Sequence, residues 1–181
     1  MYIALAIVVI VIGWIMISYN GFIKMKNMVE EAFSTMDVYL KQRYDLIPNL
    51  VETVKGYAKH ESDTFEKIVE ARSSAMNAET VDEAVVEQNK LNQTLKSLFA
   101  LAENYPDLKA NESFLNLQSQ LQKIETDIAQ SRKYYNAIVR QYNTGVELFP
   151  NSMVAKAFKF ERKMMFEVSN QSQRDNVSIK F

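Results

Sequence analysis

The alternation of polar and apolar positions divides the chain into an uncharged start and a series of helical stripes. From Met1 to Ile23 no side chain is charged, and Lys24 and Lys26 follow directly. About 20 apolar residues in a helix cross the ~30 Å hydrocarbon core of a bilayer, so 1–23 is predicted as a transmembrane anchor. From Val29, apolar residues recur as Phe33, Met36, Leu40, Tyr44, Ile47, Val51, Val54 and Ala58, then Phe65 and Ile68. Steps of three and four mark a helix with one buried stripe. Pro48 falls inside this run, where it removes a backbone donor and crowds the preceding turn. A kink or a restart is expected there, with Asp45 placed to cap a restarted helix.

A second helix is predicted after Thr80, because Thr80 and Glu83 match a capping box. Its stripe is Ala84, Leu91, Leu95, Leu98 and Ala102, and it ends before Pro106. The third stripe is the cleanest: Phe114, Leu117, Leu121, Ile124, Ile128, Ser131, Tyr135, Ile138 and Tyr142. Asn111 is its expected cap, and it fails near Gly145 or before Pro150. A shorter fourth helix, capped by Asn151 or Ser152, runs through Val154, Ala157 and Phe158 toward Met165. Strand-like alternation competes only at the tail, from Asn176 to Phe181.

The fold class that follows is all-α: an N-terminal transmembrane helix, then an elongated antiparallel bundle of about four helices. The expected divisions are an anchor over 1–23, a bundle over 24–168 and a tail over 169–181. No glycine-rich linker separates anchor from bundle, although Gly21 could bend the joint.

Composition narrows the function classes. Only four Gly and three Pro occur in 181 residues, which suits long helices and leaves no phosphate loop. A net charge of −1 argues against nucleic acid as a partner. The absence of cysteine excludes disulfides, iron–sulfur clusters, lipoprotein attachment and thiol catalysis. The start lacks a basic n-region and a cleavage signature, so an uncleaved anchor is expected rather than a signal peptide. Tyr2 and Tyr19 are spaced as two interfacial aromatics, whereas Trp14 would sit below the interface. Lys24, Lys26, Lys41 and Arg43 all follow the span, which predicts an outside N-terminus and a cytoplasmic bundle at the cell membrane.

Candidate chemistry is sparse. His60 is the only histidine, so an HExxH zinc site is excluded and convergent metal ligands are not expected. No cofactor is expected either. Serines lack a Gly-x-Ser-x-Gly elbow and a histidine partner. Arg43, Asp45, Asn49 and Glu52 form a polar set around Pro48. They make either a recognition surface or a set of caps and half-buried pairs. Tyr135–Asn136 and Tyr142–Asn143 repeat a Tyr-Asn pair two turns apart, so both face one way. They could line a ligand groove, or pack the bundle with each hydroxyl reaching a partner. Lys156, Lys159, Arg162 and Lys163, interleaved with Phe158, Phe160, Met164, Met165 and Phe166, could meet an anionic membrane or a partner, or close the end of the bundle.

The segment from Arg43 to Glu61, with Tyr44-Asp45-Leu46-Ile47-Pro48-Asn49-Leu50-Val51 at its centre, resembles the signature of the LemA family. Tyr19-Asn20, Ala71-Arg72, the two Tyr-Asn pairs and Phe149-Pro150 follow that family's order along the chain. One departure is Phe158-Lys159-Phe160, where such proteins tend to read Phe-Gly-Phe. The resemblance implies a membrane-anchored helical bundle without established enzymatic activity, and it supplies no site residues. It also implies a partner to test, since such genes are often found beside a membrane zinc protease of the HtpX type. The function expected is a non-enzymatic scaffold or adaptor at the bilayer, able to form homo-oligomers through its heptad stripes. The alternative is a membrane-associated sensor with a small ligand between its helices around Tyr135 and Tyr142.

Overall fold

The computed structural model describes residues 1–166. Six helices build it: α1 Tyr2–Lys55, α2 Ser62–Met76, α3 Val81–Ala102, α4 Pro106–Lys109, α5 Glu112–Glu147 and α6 Asn151–Ala157. No strand occurs among the described residues. The tail expected over 169–181, with the strand-like stretch from Asn176, lies outside them.

The first helix, α1, is one unbroken helix of 54 residues, ~80 Å long at 1.5 Å per residue. It passes through both Gly21 and Pro48. Its start is exposed on every side, and none of its most apolar window is buried against the rest of the protein. Bare aliphatic side chains all round a helix are unfavourable in water and suited to lipid. From Phe22 onward one face is covered, through Val29, Met36, Leu40, Ile47 and Val54.

That cover is mainly α5, running antiparallel to α1. The Phe22 and Tyr142 rings meet at 6.4 Å, Phe33 and Tyr135 at 5.8 Å, and Asn111 donates to the Tyr57 hydroxyl at 3.0 Å. So α5 sheathes the charged part of α1 and stops where the apolar run takes over. Helices α2 and α3 form a hairpin, α4 is a single turn between α3 and α5, and α6 packs on both α1 and α5 beside the apolar run. This placement accounts for Trp14, which shares a small hollow with Ser18, Gly145 and Asn151.

Two expected caps are in place. The Thr80 hydroxyl accepts from the Glu83 N–H at 3.2 Å, while the Glu83 carboxylate accepts from the Thr80 N–H at 3.3 Å. The Asn111 side chain accepts from the Phe114 N–H at 3.0 Å. Other boundaries differ from expectation. The stripe from Val29 to Ile68 belongs to two helices, because the chain turns between Gly56 and Glu61 and puts Phe65 and Ile68 on α2. No helix restarts at Asp45. The fourth predicted helix, α6, is capped by Pro150 rather than Asn151 or Ser152, and Asn151 accepts instead from the Ser18 hydroxyl at 2.8 Å.

Helix α6 also stops at Ala157, well short of Met165, and the stop has a clear cause. Phe160 N–H donates to the Ala155 carbonyl at 2.9 Å and Lys159 N–H to the Lys156 carbonyl at 3.4 Å. Lys159 sits at φ 57°, in the left-handed region. This is a Schellman closure, a turn usually built on glycine. The turn that Phe-Gly-Phe would make is therefore kept, with lysine in the glycine's place. Lys159→Gly is expected to stabilise the protein by about 0.5–1 kcal/mol, read as a higher urea midpoint for the full chain in detergent.

Candidate functional site

Arg43 lies in the core stripe of α1, only 2% exposed. Its guanidinium donates to the Gln88 carbonyl oxygen at 3.1 Å and to Asn92, both on α3. It also pairs with the Glu125 carboxylate of α5 at 3.4 Å. Gln88 in turn donates to the Tyr44 hydroxyl, which donates to the Ala75 carbonyl on α2 at 3.1 Å. One polar chain thus ties four helices together through the core. Burial lowers the Arg43 pKa and Glu125 opposes it, while burial raises the Tyr44 pKa and Arg43 opposes that. The two terminal nitrogens of the guanidinium are matched by Gln88, Asn92 and Glu125, whereas the buried Arg43 Nε has no partner among the described residues.

The other members of the polar set point away. Asp45, Pro48, Asn49 and Glu52 are all exposed, and their spacing of three, one and three places them on a single outer face of α1. Asp45 does not cap; it pairs with Lys41 at 3.3 Å. Pro48 leaves the Tyr44 carbonyl without its intrahelical donor, and a helix normally kinks or restarts there. Here Arg72 Nε of α2 donates to that carbonyl at 2.7 Å, so the orphaned group is satisfied from outside.

A double-mutant cycle tests this substitution of donors. Arg72→Ala is expected to cost about 2 kcal/mol in the natural background and about 1 kcal/mol less beside Pro48→Ala, which restores the backbone N–H. Additive effects on the urea midpoint would contradict it.

The two Tyr-Asn pairs lie on the face of α5 that meets the chain's own last described segment. After α6 the chain runs extended from Phe160 to Phe166. Asn143 donates to the Lys163 carbonyl at 2.9 Å and accepts from the Lys163 N–H at 2.8 Å. Asn136 does the same with Phe166, at 3.1 and 2.7 Å. The Tyr135 hydroxyl donates to the Met164 carbonyl at 2.9 Å, and Tyr142 is buried against Phe22. Each amide matches one residue's backbone donor and acceptor, as a neighbouring strand would. Phe166 is thereby held in the core under the half-buried Arg132 guanidinium, 4.6 Å from its ring centroid. Phe160 packs on Phe22 and Tyr19 at 4.9 and 5.6 Å. Of the basic, aromatic stretch, Phe160 and Phe166 therefore close the bundle, while Lys156, Lys159, Arg162 and Met164 stay exposed.

A cleft of about 450 Å³ opens between α3 and α5, with Arg43, Asn92, Lys96, Gln118, Gln122 and Glu125 among its walls. Its groups can hydrogen-bond a polar guest, but they do not form a nucleophile–base pair. His60 is exposed between α1 and α2. Among the described residues no three His, Asp or Glu side chains converge as metal ligands. The sequence reading missed Gln88, Asn92 and Arg132 as buried or half-buried polar groups, and Glu125 as the exposed partner of Arg43. Gln88 left a trace: it fills the helical step between Ala84 and Leu91 on an otherwise apolar stripe.

Comparison with known proteins finds relatives over most of the chain. The profile of the LemA family matches residues 32–181. Protein LemA of Metamycoplasma hominis is 24% identical over 157 residues, spanning 86% of this chain and 72% of its own. Magnetosome protein MamQ 2 of Paramagnetospirillum magneticum is 23% identical over 193 residues, spanning 92% and 71%. Magnetosome protein MamQ of Magnetospirillum gryphiswaldense is 22% identical over 178 residues, spanning 84% and 65%. The family profile covers the polar network, the Pro48 face and the Tyr-Asn clasp together, and the chain belongs to the LemA family.

Proposed function

We propose that this protein is a non-enzymatic, single-pass membrane scaffold whose bundle holds an interaction surface at a fixed distance from the bilayer. The observation that carries this reading is the continuity of α1 from its apolar start to Lys55. An unbroken helix transmits position, whereas a flexible tether would not. The surface is the outer face of Asp45, Pro48, Asn49 and Glu52, ~35 Å along the helix from Lys24. Lys24 and Lys26 favour a cytoplasmic bundle. The occupants of the surface are a second copy of the chain or a membrane protease of the HtpX type.

Photocrosslinkers at Asn49 and Glu52 in native membranes test the surface. Adducts with self or with one membrane protein, absent from a crosslinker at Val69, are expected. No adduct from either position would sink the scaffold reading. An impermeant thiol reagent that labels Glu52→Cys in intact cells would reverse the orientation.

A sensor is the second reading, and the α3–α5 cleft favours it, since its volume suits a small molecule. The Tyr135–Tyr142 face does not favour it, because the chain's own segment occupies that face. Ligand-induced thermal stabilisation lost in Lys96→Ala would promote the sensor.

A further inference from the structure

We propose that the corner joining α5 to α6 inserts into the lipid interface beside the anchor, as a second point of membrane contact. The inference rests on the membrane-anchored reading above and adds to it a site of lipid binding. Between Glu147 and Lys156 the chain carries no charge: Leu148, Phe149, Pro150, Asn151, Ser152, Met153, Val154 and Ala155 follow one another. Val154 and Ala155 pack inward, but Leu148, Phe149 and Met153 are 58%, 79% and 62% exposed. Large apolar side chains clustered this openly mark a contact surface.

The position of the corner identifies what it contacts. Asn151 bonds to Ser18, and the same hollow reaches Trp14 and Ile17. These residues lie inside the uncharged run, one to three turns before Lys24. With ~30 Å of hydrocarbon to cross from Tyr2, the membrane boundary falls close to Asn20. A corner attached at Ser18 is therefore level with the boundary or just inside it. The Ser18 hydroxyl donates to the Asn151 side-chain oxygen, which pairs these two groups at that depth and leaves the Asn151 NH2 for the headgroup region. The exposed Lys156 and Lys159 lie just beyond the uncharged corner, where lysine ammoniums reach lipid phosphates. Phe158, against the Tyr19 ring at 4.9 Å, extends the aromatic rim.

The chain has no cysteine and one tryptophan, so single probes report each depth separately. Phe149→Cys, Met153→Cys and, as an aqueous reference, Val69→Cys would be labelled with an environment-sensitive fluorophore. The full chain would sit in vesicles of phosphatidylcholine and phosphatidylglycerol containing lipids with a nitroxide near the carbonyl end of the acyl chain. Trp14 is expected to be quenched, with labels at 149 and 153 quenched several-fold more than the label at 69. Quenching of Trp14 with both corner labels at the level of position 69 would overturn the inserted corner and leave the anchor standing. Absence of quenching at Trp14 as well would overturn both.

Discussion

Replacing Arg43 by alanine is expected to destabilise the folded protein by about 3 kcal/mol, measured by urea unfolding of the full chain in detergent. The loss comes from the groups left behind. Gln88 is fully buried and Tyr44 nearly so, and both are arranged around the guanidinium. Glu125 contributes little to this sum because its side chain is 53% exposed and water can replace its partner. Glu125→Ala leaves the bonds of the buried guanidinium to Gln88 and Asn92 in place and is expected to cost about 1–2 kcal/mol. Arg43→Met fills the space without donating, and falls between the two. Equal effects of Arg43→Ala and Glu125→Ala would mean that the surface ion pair, not the buried network, holds the helices in register.

Removing the clasp gives the second large effect. Asn136→Ala with Asn143→Ala eliminates four hydrogen bonds to the backbone of Lys163 and Phe166. About 3 kcal/mol is the expected cost, at roughly 1 kcal/mol or slightly less for each lost bond. The readout is local: amide exchange at Lys163 and Phe166 accelerates, while the α1 and α5 interior remains protected. Asn143→Asp discriminates further. Aspartate still accepts from the Lys163 N–H but sets a carboxylate against the Lys163 carbonyl, so it should release the segment almost as fully as alanine. Unchanged exchange at Lys163 and Phe166 in the double alanine variant would show that the apolar packing of Phe160 and Phe166 holds the segment alone.

What could be read from the sequence follows how local each cause is. Thr80 and Asn111 were recognisable as caps because each bonds within three residues of itself. The long third stripe was recognisable because periodicity needs only the helix that carries it. The turn at Gly56–Glu61 was hidden because Phe65 and Ile68 continue the stripe across it. Pro48 starts no new helix for a different reason: Arg72, which donates to the Tyr44 carbonyl, is remote in sequence and no pattern links them. The Tyr-Asn repeat announced a shared face but not its occupant, since the extended Phe160–Phe166 segment has no period to detect. Arg43 was grouped with Asp45, Asn49 and Glu52 by proximity in sequence, yet helical geometry sends it inward and the others outward.

The unbroken α1 also has a mechanical side. Some 35 of its residues extend past Asn20, a reach of ~50 Å. A helix seated in a bilayer tilts to match the local thickness of the hydrocarbon. Along this lever a tilt of ~10° moves the far tip near Lys55 sideways by ~9 Å. Small differences in bilayer thickness thus become displacements of ~7–8 Å at Asp45 and Glu52, and a partner bound there would register the thickness of the membrane as a change of position.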